Sequence, residues 1–166
     1  MTGSADGDVP RWLDQDEQRT WLALIGVLIW LPAALDAQLQ ADAGLSHFEY
    51  QVLAMLSMSP NRTARMGDLA ALANGSPSRL SHVVARAEKQ GWVTRGADPD
   101  NKRVVLATLT DAGWDKVVAT APGHVEAVRR YVFDPLTPDQ VRQLREALTL
   151  IRHTVDPEGR PPIDRS

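Results

Sequence analysis

A mainly α-helical fold carrying one small β-hairpin is predicted by three features of the 166-residue sequence. Apolar residues recur at three- and four-residue spacing in six separate stretches. Three of those stretches begin with Asp, Ser or Thr followed three residues later by Glu or Gln, the signature of a capped helix start. Only around the polar loop 97–103 does the pattern change, to the alternation of a hairpin.

The first helix starts at Asp14, with Glu17 in capping-box spacing, and runs to about Ala41 before Gly44 stops it. Trp21, Ile25, Leu28, Leu35 and Leu39 fall on one side, in series with Pro32, which should kink the helix. Leu22, Leu24, Ile29, Trp30 and Leu31 make its middle apolar nearly all round, so it must be buried all round. One small domain covers one face; a second subunit is expected on the other, with Trp30 in that interface. The uncharged run from Thr20 to Leu35 falls short of the roughly 18–20 residues of a membrane span, and Pro32 interrupts it.

The second helix opens at Ser46 with Glu49, turns Phe48, Val52, Leu53 and Leu56 inward, and ends near Ser59-Pro60. A short third helix, Met66 to Ala73, leads to a turn at Asn74-Gly75. Ser76 caps a fourth helix whose first position is Pro77; Leu80, Val83, Val84 and Ala87 form its inner face and Gly91 ends it. Trp92–Thr94 and Val104–Leu106 are the hairpin strands. Thr110 caps a fifth helix reaching about Phe133, with Trp114, Val117, Val118, Val125, Val128 and Val132 on one side. Pro122-Gly123 should bend or break it. Thr137 with Gln140 starts the last helix, which carries Val141, Leu144, Leu148 and Ile151.

Helix, turn, helix and basic hairpin in this order form a winged helix-turn-helix, an arrangement that sets one helix in a DNA groove. The charge distribution agrees. The whole chain carries −3, but residues 60–104 hold eight cations against four anions, a local +4 that leaves −7 for the rest. Affinity for phosphate depends on the charge at the contact face. Ser76, Ser78 and Arg79 lie at the fourth helix's N-terminus, where free amides, hydroxyls and a guanidinium reach phosphates or base edges. His82 and Arg86 continue that face. Arg95, Lys102 and Arg103 form the cationic wing, with Arg103 the candidate for a narrow minor groove. A pairing of Arg103 with Asp98 or Asp100 inside a solvated turn is the alternative. Arg62 and Arg65 are candidate phosphate contacts.

Gly91, Arg95, Asp98, Pro99, Arg103, Leu109, Thr110 and Gly113 resemble the wing-and-helix pattern of the MarR family of transcriptional regulators. The segments 45–56, 66–72 and 76–91 are also similar, so the resemblance spans about Trp12 to Val155. It departs at Asn101, where the family commonly has an aspartate that orients the wing arginine. The resemblance implies a homodimer, with residues 11–44 and 110–155 forming a helical dimerisation layer around a DNA-binding region, 45–109. Residues 1–10 and 156–166 are read as flexible ends. It also implies double-stranded DNA as partner, a palindromic operator, repression and release by a small aromatic (phenolic or carboxylate) effector. A cytoplasmic location is expected from the polar, acidic start 1–10, which is unlike a signal peptide, and from the shortness of the uncharged run. Trp12, Arg19, Trp21, His47, Tyr50 and Trp114, with His124, are the residues offered for that effector, since arginine and aromatic rings suit an aromatic acid.

The chain has no cysteine, which excludes disulfides, thiolate metal sites and cysteine nucleophiles. Its four histidines are scattered without metal-ligand spacing, and there is no phosphate-cradling glycine loop. No catalytic residue, cofactor or metal is expected. The competing reading is a winged-helix module that binds protein without specific DNA binding.

Overall fold

The computed structural model describes residues 10–72 and 76–156, the side chain of Leu72 excepted. The Asn74-Gly75 turn, and the two ends before Pro10 and after Asp156, lie outside them. Six helices and three strands follow in the order α1 (Gln15–Ala43), α2 (His47–Met58), β1 (Thr63–Arg65), α3 (Met66–Leu72), α4 (Pro77–Lys89), β2 (Val93–Ala97), β3 (Val105–Leu109), α5 (Asp111–Val128) and α6 (Pro138–Val155).

The caps that the sequence carries are formed. Asp14 Oδ1 accepts from the backbone N–H of Asp16 and Glu17 at 2.8 Å each, and Glu17 closes the box on the Asp14 N–H at 2.9 Å. Gly44 ends α1 in the left-handed region, φ 66°, and its N–H donates to the Gln40 carbonyl. Ser46 with Glu49 and Thr137 with Gln140 form the same reciprocal box on α2 and α6.

The core lies where α2 crosses the C-terminal half of α1, α3, α4 and the sheet. Leu39, Leu45, Val52, Leu53, Leu56, Leu69, Leu80, Val84 and Val93 are almost completely buried there. The sheet is antiparallel in the order β1-β3-β2. Helix α5 leans on α1 and α2, and Lys116 Nζ donates to the Ala43 carbonyl at 2.7 Å, tying α5 to the end of α1.

Several expectations need correction. The fifth helix is not interrupted at Pro122-Gly123; α5 runs through Pro122, and the irregularity comes later, as a five-residue π turn at Arg129–Phe133. In the turn before the proline, Thr120 donates its hydroxyl to the Lys116 carbonyl at 2.7 Å. The hairpin strands lie further along than Trp92–Thr94 and Val104–Leu106, because β3 continues to Leu109 to pair with both neighbours. Strand β1 is an addition. It is three residues long, pairs Thr63 with Thr108, and follows a tight turn with Asn61 and Arg62 at positive φ. Such a strand is too short to show alternation.

The apolar faces split in two. Of α1 only Leu35 and Leu39 are buried, whereas Trp21, Leu22, Val27, Leu28, Ile29 and Trp30 are exposed, Trp30 at 73%. Of the α5 series Val117 alone is buried, and Trp114, Val118 and Val125 are exposed. No residue of α6 is buried. Its stripe of Val141, Leu144 and Leu148 lines, with Val132 and Phe133, an open groove of about 660 Å³.

Candidate nucleic-acid interface

Burial of Leu80, Val84 and Ala87 fixes the roll of α4 and turns Ser76, Ser78, Arg79, His82 and Arg86 outward, all of them exposed. The Ser76 hydroxyl accepts from the Arg79 N–H at 3.2 Å and lies 3.2 Å from the Ser78 hydroxyl. The helix therefore opens outward on two hydroxyls and a guanidinium.

Its arginines are exposed yet held. The Arg79 guanidinium carbon sits 4.2 Å from the centroid of the Phe48 ring. Arg86 Nη1 lies 3.1 Å from Glu49 Oε1, a carboxylate at the buried start of α2. Arg95 on β2 donates from Nε and Nη2 to Glu88 Oε2 at 3.0 and 2.6 Å, and that contact holds the Glu88 carboxyl below its ordinary range. The sequence reading missed Phe48 and Glu49 in this role, having assigned one to the core and the other to a helix cap. The spacing of Arg79 and Arg86, seven residues apart, puts them on one face of α4 but does not say which residues of α2 meet them.

The wing is built on Asp98. Its N–H donates to the Val104 carbonyl at 2.9 Å, and Oδ1 accepts from the Asp100 N–H at 3.0 Å, an Asx turn. Its other oxygen lies 3.5 Å from Arg65 Nη2 on β1. The alternative pairing of Arg103 with Asp98 or Asp100 is not formed; Asp98 pairs with Arg65 instead. Asn101 Oδ1 accepts from the Arg103 N–H at 3.2 Å, so the residue that departs from the family pattern still fixes the arginine's backbone. Lys102 and Arg103 are exposed at the tip, and neither side chain forms an ion pair among the described residues. Arg62 turns from the tip to Asp111 at 2.8 Å and over the Trp114 ring at 4.4 Å.

The residues offered for an effector fall into three places. Trp12, Arg19 and Trp21 stand exposed at the start of α1, where Arg19 pairs with Asp16 at 3.5 Å. At 1.5 Å per residue, Trp21 is about 22 Å along the helix from Asp36. Trp114 belongs with Arg62 near the sheet. His47, Tyr50 and His124 come together at the junction of α1, α2 and α5, with the His124 ring 4.7 Å from Tyr50 and 5.9 Å from His47. Asp36 Oδ1 accepts the His47 N–H at 2.7 Å. Burial lowers the basicity of both imidazoles; for His47 the Asp36 charge opposes this, and for His124 the neighbouring His47 adds to it. His124 Nδ1 and Gln38 Oε1 are buried without a hydrogen-bond partner.

A basic, outward-facing second helix on a buried wedge, beside a hairpin held by an Asx turn, defines a winged-helix protein. Residues 43–104 match the MarR family model. The structure superposes on Sco3205 of Streptomyces coelicolor, a MarR family transcriptional regulator in complex with DNA, with TM-score 0.84, 47% identity and coverage of 90% of this chain and 93% of that one. It superposes on AbsC, a second MarR family regulator from the same organism, with TM-score 0.81, 36% identity and coverage of 88% and 98%. The uncharacterized HTH-type transcriptional regulator YkoM of Bacillus subtilis is 31% identical over 104 residues, covering 62% of this chain and 65% of YkoM. The chain belongs to the MarR family, a family of transcriptional regulators and not of enzymes.

Proposed function

We propose that this chain is a homodimeric repressor that binds a palindromic DNA operator in the cytoplasm. The observation that carries the reading is the exposed row Ser76, Ser78, Arg79, His82 and Arg86 on a helix whose opposite face is sealed into the core. Arg79 and Arg86 are assigned to base edges or phosphates in the major groove, and Ser76 and Ser78 to phosphates. The unpaired Arg103 takes the minor groove beside Lys102, while Arg65 and Arg95 line the path between them.

The dimer is supported by what one chain leaves uncovered. An 18-residue helix with an apolar stripe and no buried residue, α6, draws its stability from packing that a single copy does not supply. Helix α1 is long and apolar enough to cross a membrane, and 11% of its most apolar stretch is buried. The α6 stripe carries Arg142, Arg145 and Arg152 beside it, which suits a protein interface and not a bilayer. A second copy covers both faces at once.

For the effector we assign a small aromatic acid to the junction of His47, Tyr50 and His124. The unpartnered His124 Nδ1 and Gln38 Oε1 support this, being polar atoms that a ligand can satisfy. Selection from a random duplex pool, followed by anisotropy across a salt series, tests the whole reading. An enriched palindrome with a steep salt slope supports it. Salt-independent binding without enrichment would assign the winged helix to a protein partner instead.

A further inference from the structure

We infer that Phe48 and Glu49, consecutive residues in the first turn of α2, are positioning residues for the two arginines that α4 presents to DNA. The inference rests on the DNA-reading role proposed above. Arg79 and Arg86 are two helical turns apart on one face, and α2 meets both: Phe48 under the Arg79 guanidinium at 4.2 Å, Glu49 against Arg86 at 3.1 Å. Both platforms are rigid, with Phe48 exposed by 6% and Glu49 by 7%.

Capping alone does not explain the charge on Glu49. Its Oε2 accepts from the Ser46 N–H and hydroxyl at 2.8 Å each, which completes the box with one oxygen. The box on α6 is completed by Gln140, which carries no charge. A carboxylate is costly to bury unless it is paired, and the free Oε1 is the atom that faces Arg86. The pairing uses one of the five guanidinium donors, and the Arg86 side chain stays 64% exposed, leaving the others for DNA. Fixing a long side chain before association reduces the ordering cost on binding. The ring of Phe48 does the same for Arg79 by stacking.

The test compares Glu49→Gln, which keeps the cap acceptor, with the parent protein, each alone and combined with Arg86→Ala. Affinities for operator and random duplex are measured alongside thermal melting. We expect the operator-to-random ratio to fall about tenfold in Glu49→Gln and not to fall further once Arg86 is gone, as coupled neighbours behave. Phe48→Leu should lose its effect in the same way when combined with Arg79→Ala. An unchanged ratio in Glu49→Gln, or an equal loss with and without Arg86, overturns the inference. So does tighter operator binding at constant ratio, which would make Glu49 a competitor that restrains Arg86. A parent protein without salt-dependent DNA affinity fails one step earlier and removes the DNA reading itself.

Discussion

The residues that carry the proposed activity divide by how they are held. Arg79 rests on a ring and Arg86 on a carboxylate, whereas Arg103 is fixed only at its backbone N–H by Asn101. Removing Arg79 should therefore cost about 1–3 kcal/mol on operator DNA and relax specificity there. Equal weakening on operator and random duplex in Arg79→Ala would assign it to phosphate. Arg103→Ala should erase a preference for A/T-rich flanks, read by footprinting variants of the selected site, because a narrow minor groove attracts an inserted cation. An unchanged flank preference would leave the wing a solvated hairpin. At the α1–α2–α5 junction the residue scale has a pH consequence. His47 and His124 both have basicity lowered from an ordinary value of 6.5. As pH falls through that value the unfolded chain takes up protons the folded chain refuses, so stability is lost downward from neutrality towards the folded-state values. Melting temperature should drop between about pH 7.5 and 5.5, and His124→Gln should flatten the drop more than His47→Gln, since Asp36 partly offsets the His47 shift. A pH-independent melting temperature over that range would remove the junction from the stability balance.

Elements were legible in the sequence wherever a local signal dictated them. The boxes at Asp14, Ser46 and Thr137 mark their helix starts to the residue because the capping side chain and the backbone it satisfies are three positions apart. The inner face of α4 was legible for the same reason, being set by a periodicity within one helix. What depended on partners distant in sequence was not. Strand β1 exists because β3 offers it an edge 45 residues later, and the Thr63 and Thr108 hydroxyls meet at 2.9 Å. Glu49 as a partner of Arg86 is a contact between helices and leaves no mark on either helix's own pattern. Gly113 joins the two levels: a Cβ there would overlap the Trp92 carbonyl and the Leu109 side chain, so α5 can sit on the hairpin's base only without one. Gly113→Ala should lower stability by about 1–3 kcal/mol in denaturant unfolding, as forced overpacking does. A stability within 0.5 kcal/mol of the parent, the usual scatter of roughly ±0.5 kcal/mol for surface changes, would show that α5 shifts freely on the hairpin.

At the scale of the whole molecule the chain is two unequal halves. The DNA-facing half has a closed core, from Leu39 to Val117, and needs no partner to bury it. The other half, made of α1 before Leu35 and of α6, is apolar and open: Trp30 is 73% exposed, Leu150 71% and Ile151 47%. Large apolar side chains exposed on this scale mark an interaction surface. If a second copy covers it, two α4 helices are held at a fixed separation, and half-sites about one helical turn apart follow from that geometry. Trp30→Glu places a charge among the exposed apolar side chains of α1 without touching the core around Leu53 and Val84. It should convert the protein to a monomer in sedimentation equilibrium. It should also reduce operator affinity far more than affinity for a single half-site, because the lost term is the second, tethered contact and not the reading of bases. Loss of both affinities together would mean that the winged-helix half depends on the dimer for its fold. A Trp30→Glu protein that remains dimeric would move the interface away from α1 and leave its apolar face to a different partner.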